Sequence, residues 1–241
     1  MSARALAFDA CLNVRDLGGI VVPGGTTRPG AVVRADSLCR LSAEGRDALV
    51  RFGIRTVVDL RRRSEIEVDP NPFRTHEAIT YHHLPLESAV AFALMPRVET
   101  GELADQLIVD LSRRNVARVF QTMANAPEGG IIFHCAAGKD RTGIVAALLL
   151  SLVGATVDAI VEDYVLSDVG LGRFHAQWLA DAHPLDRDRV RGLIVCRPER
   201  PAALLEHVAR RYGGVERYLL GAGVEPTEIE RLRARLLAER A

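Results

Sequence analysis

Lysine is almost missing from this chain: its 241 residues hold one, Lys139, against thirty arginines. Arginine serves wherever a generic positive charge is wanted, so a lone lysine is unlike surface decoration. Net charge is missing as well. Basic and acidic residues balance at 31 each, which leaves no global field to recruit nucleic acid or a membrane surface. No run of about 18 uncharged apolar residues occurs, which argues against stable membrane insertion. The stretch Met1–Asp9 lacks the apolar core of a signal peptide, so a cytoplasmic location is expected, and leaderless secretion would leave no mark here. Four cysteines (Cys11, Cys39, Cys135, Cys196) lie far apart without a CxxC pair, which argues against a zinc site or a disulfide scaffold. Nor do His76, His82 and His83 suggest a metal, because His82 and His83 face opposite sides of a strand.

What is present is a globular composition, 48% hydrophobic and 26% charged, long enough for one substantial core. Residues 31–34, 54–60, 80–84 and 130–135 read as short strands, the second and fourth apolar enough to be buried on both faces. Helical patterns separate them. Ser42 caps a helix that Gly53 ends, and apolar periodicity runs through 102–124. This alternation predicts an α/β fold with a parallel-rich central sheet flanked by helices. From Thr142 onward the pattern is wholly helical: 142–153, 157–167, 171–182, 186–195, 201–212, 215–221, and a last helix opening on the box Thr227-Glu228-Ile229-Glu230. The expected organisation is a single domain over 1–241. Residues 1–155 form its α/β core, and 156–241 are a helical C-terminal extension packed on it. Segment 87–101 has no clean period and reads either as a lid or as a packed connection.

The chemistry concentrates in His134-Cys135-Ala136-Ala137-Gly138-Lys139-Asp140-Arg141-Thr142. Cys135 ends an apolar strand, small or polar residues follow, Gly138 permits a tight loop, and a helix starts at Arg141. Consecutive backbone N–H groups of 136–141 at a helix N-terminus form a nest for an anion. The Arg141 guanidinium can grip two oxygens of a phosphoryl group bidentately. The same positive dipole favours a thiolate on Cys135. His134 is placed to order the loop, and the Thr142 hydroxyl to donate to the sulfur. Cys135 would then attack phosphorus to form a thiophosphate that water hydrolyses, with the nest and Arg141 neutralising the equatorial oxygens so that no metal or other cofactor is needed.

These residues resemble the signature loop of the cysteine-dependent tyrosine and dual-specificity phosphatases, most nearly the atypical bacterial tyrosine/serine phosphatases, some of which act on phosphoinositides. The stretches Asn13–Gly19, Val33–Leu38, Val58–Arg61 with Glu65, and Asp163-Tyr164 fit the same group. The resemblance implies a cysteine-phosphatase-like fold, a Cys135 nucleophile, no cofactor, a phosphorylated protein or phosphoinositide as substrate and inorganic phosphate as product. It departs from the broader tyrosine phosphatases in lacking a Trp-Pro-Asp loop, the one tryptophan being Trp178.

The general acid must therefore come from elsewhere. Asp140 lies within the loop beside Arg141, and the atypical bacterial and myotubularin-like phosphatases are thought to use an aspartate there. Asp59 ends a neighbouring strand at the same sheet edge, as an acid or a loop-orienting partner. Asp105, in the lid region, is a third choice. Arg15 and Asp16 are expected to brace the underside of the site. Arg61-Arg62-Arg63 reads either as an attractor for an anionic substrate or as a solvated charge run. Two other functions stay open: a silent phosphate-binding module, or another Cys-loop enzyme such as an arsenate reductase with Cys11, Cys39 or Cys196 as resolving thiol.

Overall fold

A computed structural model describes residues 4–184 and 187–238. Its strands are β1 (Arg15–Asp16), β2 (Val21–Val22), β3 (Gly25–Thr26), β4 (Val32–Ala35), β5 (Ile54–Asp59), β6 (Thr80–His83) and β7 (Gly130–His134). Five of them form one sheet in the order β1-β4-β7-β5-β6. β4, β7, β5 and β6 run parallel, and β1 closes one edge antiparallel to β4. The four strands expected from the sequence lie within one residue of their expected places.

The register puts Ala35, His134 and Asp59 side by side, so the carboxyl ends of β4, β7 and β5 open together at the edge where Cys135 follows. Side chains alternate between two apolar layers, as pleated strands require. Ile131, Phe133 and Val58 enter the larger layer, and Ile132, Val57 and Val33 the smaller.

The helices are α1 (Ala43–Arg51), α2 (Arg63–Val68), α3 (Ala89–Leu94), α4 (Gly101–Leu111), α5 (Arg113–Ala124), α6 (Asp140–Leu152), α7 (Val157–Asp181), α8 (Arg187–Ile194), α9 (Glu199–Tyr212), α10 (Val215–Ala222) and α11 (Pro226–Leu236). Ser42 caps α1 as expected, its hydroxyl accepting from Gly45 N. Several expectations are corrected. The run 102–124 divides at Ser112, whose hydroxyl accepts from Ser88 N. Segment 87–101 is partly helical, because Ser88 caps α3 and a 3₁₀ turn follows over Met95–Arg97. The expected helices 157–167 and 171–182 are one, α7. Gly170 does not stop it; a side chain there would strike the Leu12 carbonyl, so this glycine allows close approach rather than a turn. α11 starts earlier than the box at Thr227 implies, because Pro226 suits the first helical position and Glu225 pairs with Glu228 as the cap. The expected helix start at 186 and the final residues 239–241 lie outside the described residues.

The C-terminal helices pack on the larger apolar layer: α9 against α4 and α7, and α10 and α11 against α5. The Tyr218 hydroxyl of α10 donates to Val109 O of α4. Among the described residues, no helix is long and apolar enough to cross a membrane.

Candidate active site

The loop after β7 is held from outside by its carbonyls. Ser37 N donates to Ala136 O at 3.0 Å, Asn13 Nδ2 to Ala137 O at 2.9 Å, and Arg34 Nη2 to Gly138 O at 2.8 Å. A peptide plane whose carbonyl points outward turns its N–H inward, so three successive planes aim their donors at the hollow of the loop. Gly138 permits this with φ +66°, and a Cβ there would lie 2.5 Å from Ala35 O. Cys135 sits at the floor, 2% exposed, and α6 begins at Asp140 with its positive end toward the same space.

Arg141 is fixed before any ligand arrives. Its Nη1 and Nη2 donate to the two oxygens of Glu65 at 2.6 and 2.9 Å. Glu65 in turn reaches back to the Arg62 N–H at the start of α2. Burial opposes both charges, yet the pairing wins: the Glu65 carboxyl is held below its usual range and the Arg141 guanidinium above it.

Behind the loop, Asp59 and His134 are fully buried. Asp59 accepts from Arg61 Nε (2.9 Å) and Nη2 (2.7 Å), from the Tyr81 hydroxyl (3.1 Å) and from Asn71 Nδ2 (3.3 Å). Burial works against that charge; the Arg61 fork, by its hydrogen bonds and its charge, outweighs it and holds the carboxyl below the carboxylate range. Sealed in this way, Asp59 has no exposed surface, an arrangement that suits the second of its two expected roles, orienting the loop. Asn71 lies 2.9 Å from His134 Nε2, and His134 Nδ1 lies 3.0 Å from Cys135 O. With Asn71 donating, the neutral ring holds its proton on Nδ1 and ties the loop backbone down. Burial also lowers the His134 pKa, in keeping with a neutral ring.

Arg61 is therefore no attractor for an anion, being 2% exposed and paired. Arg62 lies over Phe92 and pairs with Glu65 and Glu87, and exposed Arg63 pairs with Glu67. Arg15 and Asp16 are both buried. Arg15 binds Asp163, Ser167 and Asn13, while Asp16 accepts from Gly18 N and Gly30 N. No group of three or more His, Cys, Asp or Glu suited to a metal occurs among the described residues.

Two loop residues are buried. Lys139 is 3% exposed, and its Nζ lies 3.1 Å from Ile194 O and 3.5 Å from Asp140. The loop turns it inward beneath α8. Thr142 Oγ1 is buried without a hydrogen-bond partner, so it does not donate to the Cys135 sulfur in this structure.

The sequence reading missed Arg200. Its Nη1 donates to Asp140 at 2.5 Å, and its Nε and Nη2 grip Asp105 at 2.6 and 2.7 Å. Nothing in the local pattern at 200 marks it; only its contact with the loop does. Arg34, Asn13 and Asn71 are likewise structural partners of the loop. Two hollows flank this region, one of about 470 Å³ with Ser37, Arg40 and Glu65 beside Ala136, the other of about 940 Å³ between Phe92, Met95, Gly101 and Gly192.

Comparison with known proteins places this geometry in context. The family model described as the tyrosine phosphatase family matches residues 6–238. A tyrosine-protein phosphatase of Nostoc commune is 32% identical over 226 residues, taking in 86% of this chain and 74% of that protein. The triple specificity protein phosphatase PtpB of Mycobacterium tuberculosis is 30% identical over 270 aligned positions, covering 93% of this chain and 96% of its own length. Among solved structures, P. aeruginosa TpbA in complex with pTyr aligns with a TM-score of 0.43 at 20% identity, over 79% of this chain and 94% of that one.

Proposed function

The chain belongs to the tyrosine phosphatase family and is a cysteine-dependent phosphatase, and we propose that Cys135 is its nucleophile, Arg141 its phosphate clamp and Asp140 its general acid. Cys135 Sγ bonds to phosphorus as the bond from phosphorus to the ester oxygen breaks, and that oxygen leaves with the proton of Asp140. Water then attacks the thiophosphate. Its oxygen bonds to phosphorus, the P–S bond breaks, Asp140 takes the released proton, and inorganic phosphate departs. Throughout, the inward N–H groups and Arg141 carry the charge of the equatorial oxygens.

The observation that carries this reading is the preset loop: carbonyls tied outward, and the Arg141 fork aligned by Glu65. Phosphotyrosine is the first substrate class we infer. Phosphoserine, phosphothreonine and phosphoinositides are further classes that we infer from the resemblance of the signature loop, and the likeness to a relative named as triple specificity supports a broad range. The Arg40 side chain in the wall of the smaller hollow suits an anionic substrate. A silent binding module fits less well, since both Cys135 and Arg141 are in place. A reductase needs a second thiol ready to ionise, whereas burial pushes Cys11 and Cys196 up to about 12 and raises Cys39 as well. We read the whole chain as one working unit, because α9 lends Arg200 to the loop.

The test is hydrolysis of p-nitrophenyl phosphate and a phosphotyrosine peptide by the wild type and Cys135→Ser. Turnover should vanish in the variant while phosphopeptide binding persists, and the wild type should keep its rate in EDTA. Activity within about tenfold of wild type in Cys135→Ser would remove Cys135 as nucleophile.

A further inference from the structure

Arg200 comes from α9, sixty residues beyond Asp140, and is buried. One edge of its guanidinium, Nε with Nη2, meets both oxygens of Asp105 on α4; the remaining nitrogen, Nη1, meets Asp140 Oδ1. Room for this is built in. Gly101 opens α4, and a Cβ there would lie 2.9 Å from Arg200 Cζ. The two carboxylates are not equivalent. Asp105 is sealed, its side chain 6% exposed, whereas the Asp140 side chain is 42% exposed.

We propose that Arg200 is a positioning residue for Asp140, and that Asp105, by holding one edge of the Arg200 fork, sets how much of its charge Asp140 receives. This rests on the reading of Asp140 as general acid. The groups facing the pair are Arg200 from α9, Lys139 from the loop, Arg141 from the first turn of α6, Tyr164 and His175 from α7, and Cys196 after α8. The Tyr164 hydroxyl is buried there without a hydrogen-bond partner, while Gly143 leaves space for its ring.

The electrostatics run in two directions. For Asp105, burial outweighs Arg200 and pushes the carboxyl up to about 6. For Asp140, burial is outweighed by Arg200 and Lys139, and the carboxyl is held below its usual range. An acid so depressed is ready at neutral pH only when further negative charge is near it. An ionised Asp105 supplies part of that charge by repulsion and by occupying Arg200; an arriving phosphoryl dianion supplies the rest. Neutralising Asp105 therefore leaves all of Arg200 to Asp140 and makes Asp140 more acidic. Removing Arg200 does the opposite and also lets the Asp140 carboxyl wander.

The experiment compares Asp105→Asn, Arg200→Gln and Arg200→Lys on phosphoserine and p-nitrophenyl phosphate across pH. A general acid matters most for the alkyl ester, whose leaving oxygen is the poorer one. In Arg200→Gln, kcat/KM for phosphoserine should fall about 10²-fold, with less than about tenfold loss on p-nitrophenyl phosphate. The basic limb of the phosphoserine profile should move to lower pH in Asp105→Asn and to higher pH in Arg200→Gln. Arg200→Lys should restore the limb but not the lost rate. Limbs that stay still, or that move the same way in both variants, overturn the proposal. Should Arg200→Gln fail to fold, Asp105→Asn decides alone: its limb must move to lower pH, and a limb that stays still or rises overturns the proposal. Asp140→Asn is the control for the underlying reading: if it slows both substrates equally, Asp140 is not the acid. The positioning claim is then decided separately by ¹³C NMR titration of the Asp140 carboxyl in Cys135→Ser protein. Opposite displacements in the two variants support it, and none overturns it.

Discussion

Arg141 reaches the loop with its side-chain entropy already spent. Two of its nitrogens are bound by Glu65, and Glu65 is held by the Arg62 N–H and the Arg62 guanidinium. A long side chain so constrained needs little further ordering when a phosphoryl group enters, and its planar fork keeps one orientation. Replacing Glu65 by Gln keeps the size but removes the charge that aligns the fork. We expect kcat/KM on p-nitrophenyl phosphate to fall about 10²-fold, the loss typical of a misplaced catalytic group. Glu65 is partly exposed, so the thermal midpoint should drop by only about 2–4 °C. A large fall in the midpoint with kcat/KM unchanged would make Glu65 a structural residue alone.

At the scale of the element, β7, the loop and α6 act as one piece because neighbouring segments hold three successive carbonyls of the loop, those of Ala136, Ala137 and Gly138. The close approach of β4 requires glycine at 138, where the backbone is left-handed and Ala35 O occupies the space of a side chain. Gly138→Ala must therefore open the loop or shift β4. The strain expected is about 1–3 kcal/mol, read as a fall in the thermal midpoint of about 2–4 °C per kcal/mol. Activity should fall further than stability, because the Arg34 contact to Gly138 O is lost with the loop shape. An active, unshifted Gly138→Ala enzyme would show that the loop geometry is not needed.

Across the whole molecule, Asp163 joins parts far apart in the chain. From α7 it accepts from Arg4, Arg15 and Arg34 at 2.8, 3.1 and 2.6 Å, and Arg34 passes the connection on to the loop. Burial opposes its charge, but Arg15, Arg34 and Arg4 together hold the Asp163 carboxyl well below the usual range. A carboxyl whose folded pKa is depressed contributes stability that is present above its unfolded pKa, about 3.9, and is lost as pH falls toward the folded value. Wild-type stability should therefore decline with acid below about pH 4. Asp163→Asn leaves buried guanidiniums without their carboxylate and should cost about 3–5 kcal/mol near neutral pH. It should also flatten the acid decline, as measured by denaturant titrations at several pH values. Equal acid slopes in variant and wild type would assign that decline to other carboxylates.

The sequence by itself determined whatever depends on neighbours along the chain. The apolar runs at 54–60 and 130–135, the cap at Ser42, and the Cys135–Arg141 loop with its glycine and helix start are local, and the strands, the α1 cap and the loop lie close to where they were read. Local chemistry also offered three aspartates for the acid: Asp140 in the loop, Asp59 at a strand end and Asp105 in the lid region. The tertiary structure decided what each of them faces. Asp59 and Asp140 look alike as residues, but one is closed in by Arg61, Asn71 and Tyr81, while the other stays half open under Arg200. That second contact spans sixty residues, and the Arg200 contact with Asp105 spans ninety-five. No periodicity encodes such pairs, because they form only when α9 packs against α4 and the sheet brings the loop beneath both. Lys139 follows the same logic. Its rarity is legible in the sequence, but the direction of its side chain is set by how the loop packs under α8, and packing is a property of the folded chain.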